Sequence, residues 1–226
     1  MQAVESAAFP LRSDGPEQLI SQQLISPQQP MSLQPGRITE VSGPTGMGLT
    51  RLGLGLLAPP SLRSPVAALD VKGWLSPLAA WEVGVERRHF VVVRCPESRL
   101  WPQVVAALIE GIRAVYAEVP SSVRPQDLRR LSALARARRT GVVLRPLADA
   151  LPSGVSYLRL RATEVRWEGV ERGHGRLERR YLVMEASGKG VAGMVQRIEM
   201  VDDGTNAMRV VSGVGTQGGA TRRAVG

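Results

Sequence analysis

The spacing of apolar residues predicts alternating strands and helices between residues 37 and 144. Short apolar runs predict buried strands, and longer stretches with one apolar face predict helices. The predicted strands are Arg37–Ser42, Val66–Leu69, Phe90–Arg94, Ala114–Val119 and Gly141–Leu144. The predicted helices are Leu49–Leu57, Trp74–Val83, Trp101–Ile112 and Pro125–Arg139. Repeated strand–helix units of this length favour a parallel sheet with right-handed crossovers.

Local signals set the boundaries of several of these elements. Pro59–Pro60 is expected to end the helix that begins at Leu49, and Pro102 fits the first turn of the helix that begins at Trp101. Phe90–Arg94 begins with consecutive apolar residues, which is typical of a strand buried on both faces of a sheet.

The pattern changes after Pro152. Tyr157–Trp167 alternates apolar and polar residues with one break in phase, which predicts a strand with a bulge. Arg180–Glu185 and Met194–Val201 are two further predicted strands, joined by the glycine-rich turn Ser187–Gly193. The predicted fold class is therefore α/β, with a mostly parallel sheet flanked by helices and C-terminal antiparallel strands.

The two ends of the chain differ in composition from the middle. Residues 1–35 are rich in glutamine and proline and predict a flexible arm, within which Glu17–Ile25 is expected to form a short apolar helix. That helix can pack on a neighbouring subunit or dock locally, and disorder is the third alternative. Residues 36–212 form the predicted core domain, and residues 213–226 predict a disordered tail.

Composition narrows the class of protein. With 226 residues, of which 43% are hydrophobic, the chain can fill the core of one domain. The chain has one cysteine, Cys95, which excludes a disulfide framework. With only two histidines besides, His89 and His174, a metal centre built from cysteine and histidine is not expected. Met1–Leu19 lacks the order of charged and apolar regions typical of a signal peptide, and no apolar run has the length of a membrane span, so we expect a cytoplasmic protein.

The formal charge of +9 comes almost entirely from arginine. Only Lys72 and Lys189 are lysines, so 27 of the 29 basic residues are arginines. Arginine suits bidentate recognition of phosphate or carboxylate better than lysine does. Coding bias in a high-GC genome explains the same numbers, so charge alone does not identify a partner.

The most informative segment follows the first predicted strand, where residues 43–50 read GPTGMGLT. A strand, a glycine-rich turn and a helix start can hold phosphates, because the backbone N–H groups at the helix start point at the ligand. Gly43, Gly46 and Gly48 supply the glycines, and Thr50 stands where a Mg²⁺-binding hydroxyl would be. Leu49 occupies the lysine position, so the loop lacks its main charge for β- and γ-phosphates and is interpreted as vestigial. A plain strand–turn–helix corner is the alternative.

The predicted helix Pro125–Arg139, together with the preceding Arg124, carries a local charge of +5. Its apolar face holds leucines. Its arginines have two interpretations: a surface that contacts DNA or an acidic partner, or the solvated side of an amphipathic helix. The residues concerned are Arg124, Arg129, Arg130, Arg136, Arg138 and Arg139, against Asp127. A second arginine set, diluted by glutamates, runs from Arg159 to Arg180 and includes the segment Glu171–Gly175, which is expected to be a mobile hairpin tip.

Five stretches of the sequence resemble the RecA superfamily, in particular the RecA-like accessory proteins of bacterial SOS mutagenesis known as ImuA, including their actinobacterial relatives. LQPGRITEVSGPTG is similar to the start of the RecA nucleotide loop, and VAALDVKGWLSPLAAWEVGVE to the strand and helix that carry the catalytic glutamate. AVYAEVPSSV is similar to the strand of the Mg²⁺-coordinating aspartate, and YLRLRATEVRW with RRYLVMEASG to the last strands of the RecA core. The resemblance covers roughly residues 33–211.

The departures from the RecA pattern fall on the chemistry. Lys72 aligns with the glutamate that activates water, and a lysine cannot serve there as a general base unless burial deprotonates it. Glu118 falls on or near the aspartate position, where it is either a retained metal-holding carboxylate or an ordinary residue at a strand end. With Leu49 in the loop as well, the resemblance implies a RecA-like architecture without ATP hydrolysis, and we expect no catalytic residue, metal or other cofactor.

The resemblance also implies partners. They are an inactive Y-family polymerase-like protein that bridges to the sliding clamp and an error-prone replicative-type polymerase, with RecA itself and DNA as further candidates and a nucleoid-associated location. The function expected from it is a non-catalytic scaffold in SOS-induced translesion synthesis. A SulA-like inhibitor of cell division is the alternative from another class, and a weak ATPase completed by a partner chain is the third.

Overall fold

The computed structural model of the protein describes residues 32–171, 174–202 and 209–216. The strands are β1 (Ile38–Ser42), β2 (Val66–Asp70), β3 (Phe90–Arg94), β4 (Ala114–Val119), β5 (Gly141–Pro146), β6 (Leu158–Glu171), β7 (His174–Ser187), β8 (Val195–Asp202) and β9 (Arg209–Thr216). The helices are α1 (Leu49–Gly55), α2 (Ala58–Ser61), α3 (Pro77–Trp81), α4 (Trp101–Gly111) and α5 (Pro125–Arg138). The predicted helix Glu17–Ile25 lies outside the described residues.

The described strands form one sheet in the order β3-β2-β4-β5-β1-β6-β7-β8-β9. Pairing is parallel from β3 across to β6 and antiparallel from β6 to β9. The prediction of an α/β fold with a mostly parallel sheet and C-terminal antiparallel strands is therefore confirmed. Because parallel strands all point the same way, β1, β2 and β4 end at one edge of the sheet, and the loops that follow them lie there together.

Helices cover the sheet on two sides and enclose two clusters of buried side chains. Alternate residues of one strand enter different clusters, as Tyr116 and Ala117 of β4 do, because successive side chains of a strand point to opposite faces. One cluster joins α1 and α3 to the sheet and extends under β6, β7 and β8, and the other joins α4 and α5 to the parallel strands.

Strand β3 lies at the edge of the sheet, and the prediction that it is buried on both faces is wrong. Among the described strands it pairs only with β2, and Val91 is 48% exposed. Phe90 and Val92 pack against one cluster and Val93 against the other. The continuous apolar run therefore reflects contacts on both faces of the sheet. The strand is still partly exposed, because the helices cover an edge strand only in part.

Prolines affect the limits of two helical segments. The helix predicted from Trp74 begins only at Pro77, since the residue before a proline is driven out of the helical region, and Ser76 is extended. Helix α1 ends before Pro59–Pro60 as predicted, but both prolines then lie in the short helix α2, whose first turn needs no backbone N–H from them.

Two of the C-terminal strands, β6 and β7, are longer than predicted, and β9 was not predicted as a strand. Strands β6 and β7 form a hairpin of two 14-residue strands, with a register shift between Ala162 and Glu164 that confirms the predicted bulge. Strand β9 includes residues 213–216, which the sequence assigned to the tail, because Gly213 and Gly215 pair with β8 through the backbone and need no side chain for it. Residues 172–173 of the predicted hairpin tip and 217–226 of the tail lie outside the described residues.

Candidate functional site

The glycine-rich loop joins β1 to α1, as the sequence predicts. Gly43 has a φ of 143° and lies so close to Ala162 of β6 that a Cβ there would stand 2.9 Å from the Ala162 carbonyl oxygen. Gly48 is left-handed, with a φ of 70°, and precedes the first residue of the helix. Gly46, with a φ of 89°, faces open space. All three positions therefore favour glycine for their positive φ, and Gly43 and Gly48 also need it for steric reasons, independently of any ligand.

Leu49, at the lysine position of the loop, points into the protein. Its side chain is 5% exposed and belongs to the buried cluster beneath α1. The neighbouring Thr50 is half-buried. Helix α1 itself is only seven residues long. The residue that would carry the charge in a phosphate-binding loop thus contributes to the core instead.

A different cation, from strand β7, covers the loop. The guanidinium of Arg180, on β7, occupies the place where a Cβ on Gly48 would stand. Arg180 is 7% exposed and pairs with Asp202 of β8 at 3.1 Å. Burial lowers the pKa of Arg180, and the negative charge of Asp202 opposes this shift. The space directly over Gly48 is therefore filled by a side chain of the protein.

The same aspartate ties the antiparallel strands to the first helix. Asp202 accepts a hydrogen bond from Nε of Arg51 at 2.8 Å, and Arg51 also pairs with Glu82 at 3.2 Å. Sequence reasoning placed Arg180 in a general arginine set and missed this role. The pairing of Arg180 with Asp202 depends on strand register, because Trp167, Arg180 and Asp202 stand side by side on three neighbouring strands. No local sequence pattern indicates that register.

Lys72, at the position of the catalytic glutamate, lies in an exposed turn after β2. The turn is held by Asp70, the last residue of β2, whose buried carboxylate accepts hydrogen bonds from the backbone N–H of Gly73 at 2.8 Å and of Leu75 at 3.1 Å. An aspartate that binds the backbone of the residues following it is a common way to fix a turn. The sequence analysis did not single out Asp70.

Glu118 is fully buried near the end of β4 and is surrounded by donors. Its carboxylate accepts hydrogen bonds from the Trp74 indole at 2.6 Å, from the Val71 backbone N–H at 3.2 Å and from Arg145 of β5 at 3.0 Å. Arg145 also lies over the Trp74 ring, 5.9 Å from its centroid. These contacts favour the interpretation of Glu118 as a structural carboxylate over that of a metal ligand.

A buried tyrosine lies beneath this cluster. Tyr116, two residues before Glu118 on β4, is fully buried. Burial raises the pKa of its hydroxyl well above the usual range, while the nearby positive charge of Arg145 works in the other direction. The hydroxyl therefore stays protonated in the folded protein at ordinary pH.

The arginines of the predicted contact surface lie on or beside α5, in the layer that packs with α4. All of them are exposed, and they are Arg124, Arg129, Arg130, Arg136, Arg138 and Arg139. Arg124 pairs with Asp127 at 3.1 Å, and Arg138 pairs with Glu110 of α4 at 3.6 Å. The structure therefore places these arginines on a different layer from the loop, Lys72 and Glu118.

Several described arginines of the second set, or beside it, pair with neighbouring glutamates. On the outer face of the antiparallel strands, Arg161 pairs with Glu185 and Arg197 with Glu164. Arg166 of β6 pairs with Glu199 of β8. A charge-balanced face of this kind has little attraction for phosphate, so the arginine surface on α5 remains the stronger candidate.

Within the described part of the chain, no group of three or more histidine, cysteine, aspartate or glutamate side chains is arranged to hold a metal ion. No helix there has the length and apolar character needed to cross a membrane. At the loop, Leu49 in the lysine position is buried, and the Arg180 guanidinium covers Gly48.

A family model described as the MT3502 N-terminal domain matches residues 27–152, which is more than half of the chain. The chain belongs to this family. The matched region takes in β1 to β5 and α1 to α5, and therefore the loop, Lys72, Glu118 and the arginines of α5. None of the curated proteins matches the chain.

Proposed function

We propose that this protein is a non-catalytic scaffold with a RecA-like fold that supports SOS-induced, error-prone translesion DNA synthesis through contacts with other proteins. The resemblance of its sequence to RecA-like accessory proteins is the basis of the proposal. The mostly parallel sheet, the strand–loop–helix at β1 and the appended antiparallel strands are compatible with such a fold.

The observation that carries the non-catalytic part is the filled loop. A triphosphate needs backbone N–H groups that face open space and a cation beside the phosphates. Here the space over Gly48 holds Arg180, whose charge is already paired with Asp202, and Leu49 cannot supply another charge. We therefore propose that the chain acts by binding its partners and not by hydrolysing a nucleotide.

The partners follow from the resemblance, and the charge of α5 agrees with them. The scaffold would hold an inactive Y-family polymerase-like protein and an error-prone replicative-type polymerase at damaged DNA in the nucleoid. Exposed arginines on α5 can contact DNA phosphates or an acidic partner surface, and such contacts weaken as salt rises.

A nucleotide titration tests the absence of catalysis. We expect no saturable ATP binding by calorimetry up to millimolar ATP with Mg²⁺, and no phosphate release above the buffer rate. Micromolar affinity together with Mg²⁺-dependent turnover that Thr50→Ala abolishes would contradict the proposal.

A genetic experiment tests the pathway. Deletion of the gene should remove damage-induced mutagenesis, and the wild-type gene should restore it. Restoration should fail with Arg129→Glu/Arg136→Glu on α5 and succeed with the charge-matched control Arg63→Glu/Arg88→Glu, whose exposed arginines lie elsewhere. Normal mutagenesis in the deletion strain, or filamentous cells on overexpression, would favour the division inhibitor instead.

A further inference from the structure

Strand β3 leaves one edge of the described sheet open. It pairs with β2 along its whole length in one continuous register. Directly after it, the N–H of Cys95 donates to the carbonyl oxygen of Asp70 at 2.9 Å, so the backbone of Cys95 faces β2. Because successive residues of a strand direct their backbone groups to opposite sides, the backbone N–H and C=O groups of Phe90, Val92 and Arg94 point away from β2. These groups are placed to pair with one more strand.

The edge lacks the features that normally protect an outer strand. Natural sheets protect such strands with a proline, a bulge or a charge within the strand. Strand β3 reads FVVVR, so its only charge stands at its last residue, and its register with β2 has no shift. Strand β9, at the other end of the described sheet, contains two glycines and has a register shift against β8. An unprotected edge such as β3 is a template for another strand.

Exposed apolar side chains occur in the segments next to this edge. Ser61, at the end of α2, accepts the backbone N–H of Glu86 at 2.9 Å, so α2 ends beside the residues that precede β3. Helix α3 precedes β3 in the chain on one face of the sheet, and α4 follows it on the other. The exposed residues in or beside these elements are Leu62, Leu78, Val91 and Leu100. A group of exposed apolar side chains is typical of an interaction surface.

We propose that β3 pairs antiparallel with β3 of a second copy of this chain, around a two-fold axis that passes beside Val92 perpendicular to the sheet. The outward residues are symmetric about Val92, so the axis sets Val92 opposite Val92 of the second copy and Phe90 opposite its Arg94. Each facing pair then exchanges both of its backbone hydrogen bonds. The inference concerns the chain itself and does not depend on the proposed function.

The side chains fit this register. Phe90 comes to lie beside the guanidinium of Arg94 of the second copy on the same face of the sheet, which is a favourable contact between a cation and an aromatic ring. On the other face, Val91 meets Val93 of the second copy, and the pair covers the exposed part of Val91. No two like charges face each other within the paired strands.

The flanks of the strands also carry opposite charges. The two-fold axis brings the residues before one β3 alongside the residues after the other. The exposed Arg87 is then near Glu97 of the second copy, and the same contact occurs at both ends of the interface. Within its own chain Glu97 has only a long contact of 3.9 Å with the exposed Arg99, so its carboxylate remains accessible. Complementary charges of this kind set the direction of pairing more than its strength.

The size of the interface also favours a second copy. A stable interface buries about 800 Å² on each partner, and a pair of five-residue strands alone covers less. Because the axis is perpendicular to the sheet, each helical layer meets the same layer of the second copy. The exposed leucines in both layers, Leu78 on one face and Leu100 on the other, can therefore widen the contact. The symmetry is closed, so association stops at the dimer.

Sedimentation velocity of the full chain across the micromolar range tests the pairing. We expect twice the mass of the chain for wild type and a single chain for Val91→Lys, which places a charge within the paired strand. The matched control is Val195→Lys, because Val195 of β8 is 43% exposed and Val91 is 48% exposed. The control should remain a dimer. A monomeric wild-type protein, a dimer that survives Val91→Lys, or assemblies that grow beyond the dimer would each overturn the proposal.

Disulfide formation tests the register without depending on that variant. In the double variant Val91→Cys/Val93→Cys, each new cysteine faces one of the second copy at a Cα distance of about 4.5 Å, which a disulfide can bridge. In the control Val91→Cys, the two new cysteines are diagonal neighbours about 7–8 Å apart, beyond that reach. The native Cys95 is buried and present in both proteins.

With copper phenanthroline as oxidant and a non-reducing denaturing gel, we expect linked dimers to form at least about tenfold faster for the double variant than for the control. Equal rates, or no linked dimer from either protein, would contradict the antiparallel register. Pairing of β3 with another segment of the same chain would leave both proteins in the monomer band and would likewise contradict it.

Discussion

Replacement of Glu118 by glutamine tests whether this carboxylate holds the folded chain together. The wild-type side chain accepts three hydrogen bonds in a fully buried position. One of them comes from Arg145, whose positive charge is largely buried and is balanced by the carboxylate. Removal of one partner of a buried ion pair costs about 3–5 kcal/mol, because the remaining charge is left uncompensated. Glutamine keeps one acceptor oxygen, so we expect a loss of about 3 kcal/mol in the free energy of unfolding, the low end of that range.

The measurement is urea unfolding followed by far-ultraviolet circular dichroism, since the fluorescence of Trp74 would change with the substitution itself. For a slope of about 2 kcal/mol per molar urea, the midpoint should fall by about 1.5 M. Glu110→Gln is the control, because its pair with Arg138 is solvent-exposed and a surface pair of this kind contributes about 0–1 kcal/mol.

The reasoning would be refuted by a Glu118→Gln protein as stable as wild type. A carboxylate retained for a metal or nucleotide is destabilising without its ligand, so its neutralisation would leave stability unchanged or increase it. Equal midpoints for the Glu118 and Glu110 variants would therefore point to a binding role.

Three further substitutions address other parts of the structure. Gly48→Ala should destabilise the protein by at least about 1 kcal/mol more than Gly46→Ala in urea unfolding. Both glycines are left-handed, but only Gly48 is covered by a guanidinium, so equal losses of stability would contradict this contact. Trp101→Phe should lose about 1–2 kcal/mol by the same assay, because its indole donates a 2.6 Å hydrogen bond to a β4 carbonyl, whereas Trp101→Ala should lose about 3–5 kcal/mol. Burial raises the pKa of Tyr116, so the unfolded chain releases a proton near pH 10 that the folded chain keeps. The free energy of unfolding should therefore fall by up to about 1.4 kcal/mol per pH unit above pH 10. A Tyr116→Phe protein should lack this component, and identical pH slopes for the two proteins would refute it.

Strands β1 to β8 and the two long helices could be predicted from the sequence because their signals are local, whereas β9 was not predicted. Ala114–Val119 and Trp101–Gly111 are read from a run or a period of apolar residues, and each forms within a residue of its predicted limits. The edge position of β3 could not be predicted in this way, because apolar content reports burial and not which strands pair. The order of strands depends on contacts between residues far apart in the chain.

The site shows the same division between local and distant information. Leu49 and Lys72 were recognised as departures because they stand within short motifs. The cation over Gly48 was not, since Arg180 lies more than 130 positions away and arrives there through the register of β7 against β6. Asp70 is the exception, because an aspartate three residues before a glycine is a local turn signal that the sequence analysis did not use.

The core that α1 shares with the antiparallel strands has a consequence for the boundaries of the protein. The family match ends at Pro152, yet Val41 and Leu49 lie in one buried cluster with Leu182 and Ile198, and β6 pairs directly with β1. Cutting the chain at residue 152 would open a parallel strand edge in the middle of the sheet and uncover one side of α1, which is a template for association with other chains. The family match therefore ends at Pro152, whereas the sheet and the buried core of this chain continue beyond it.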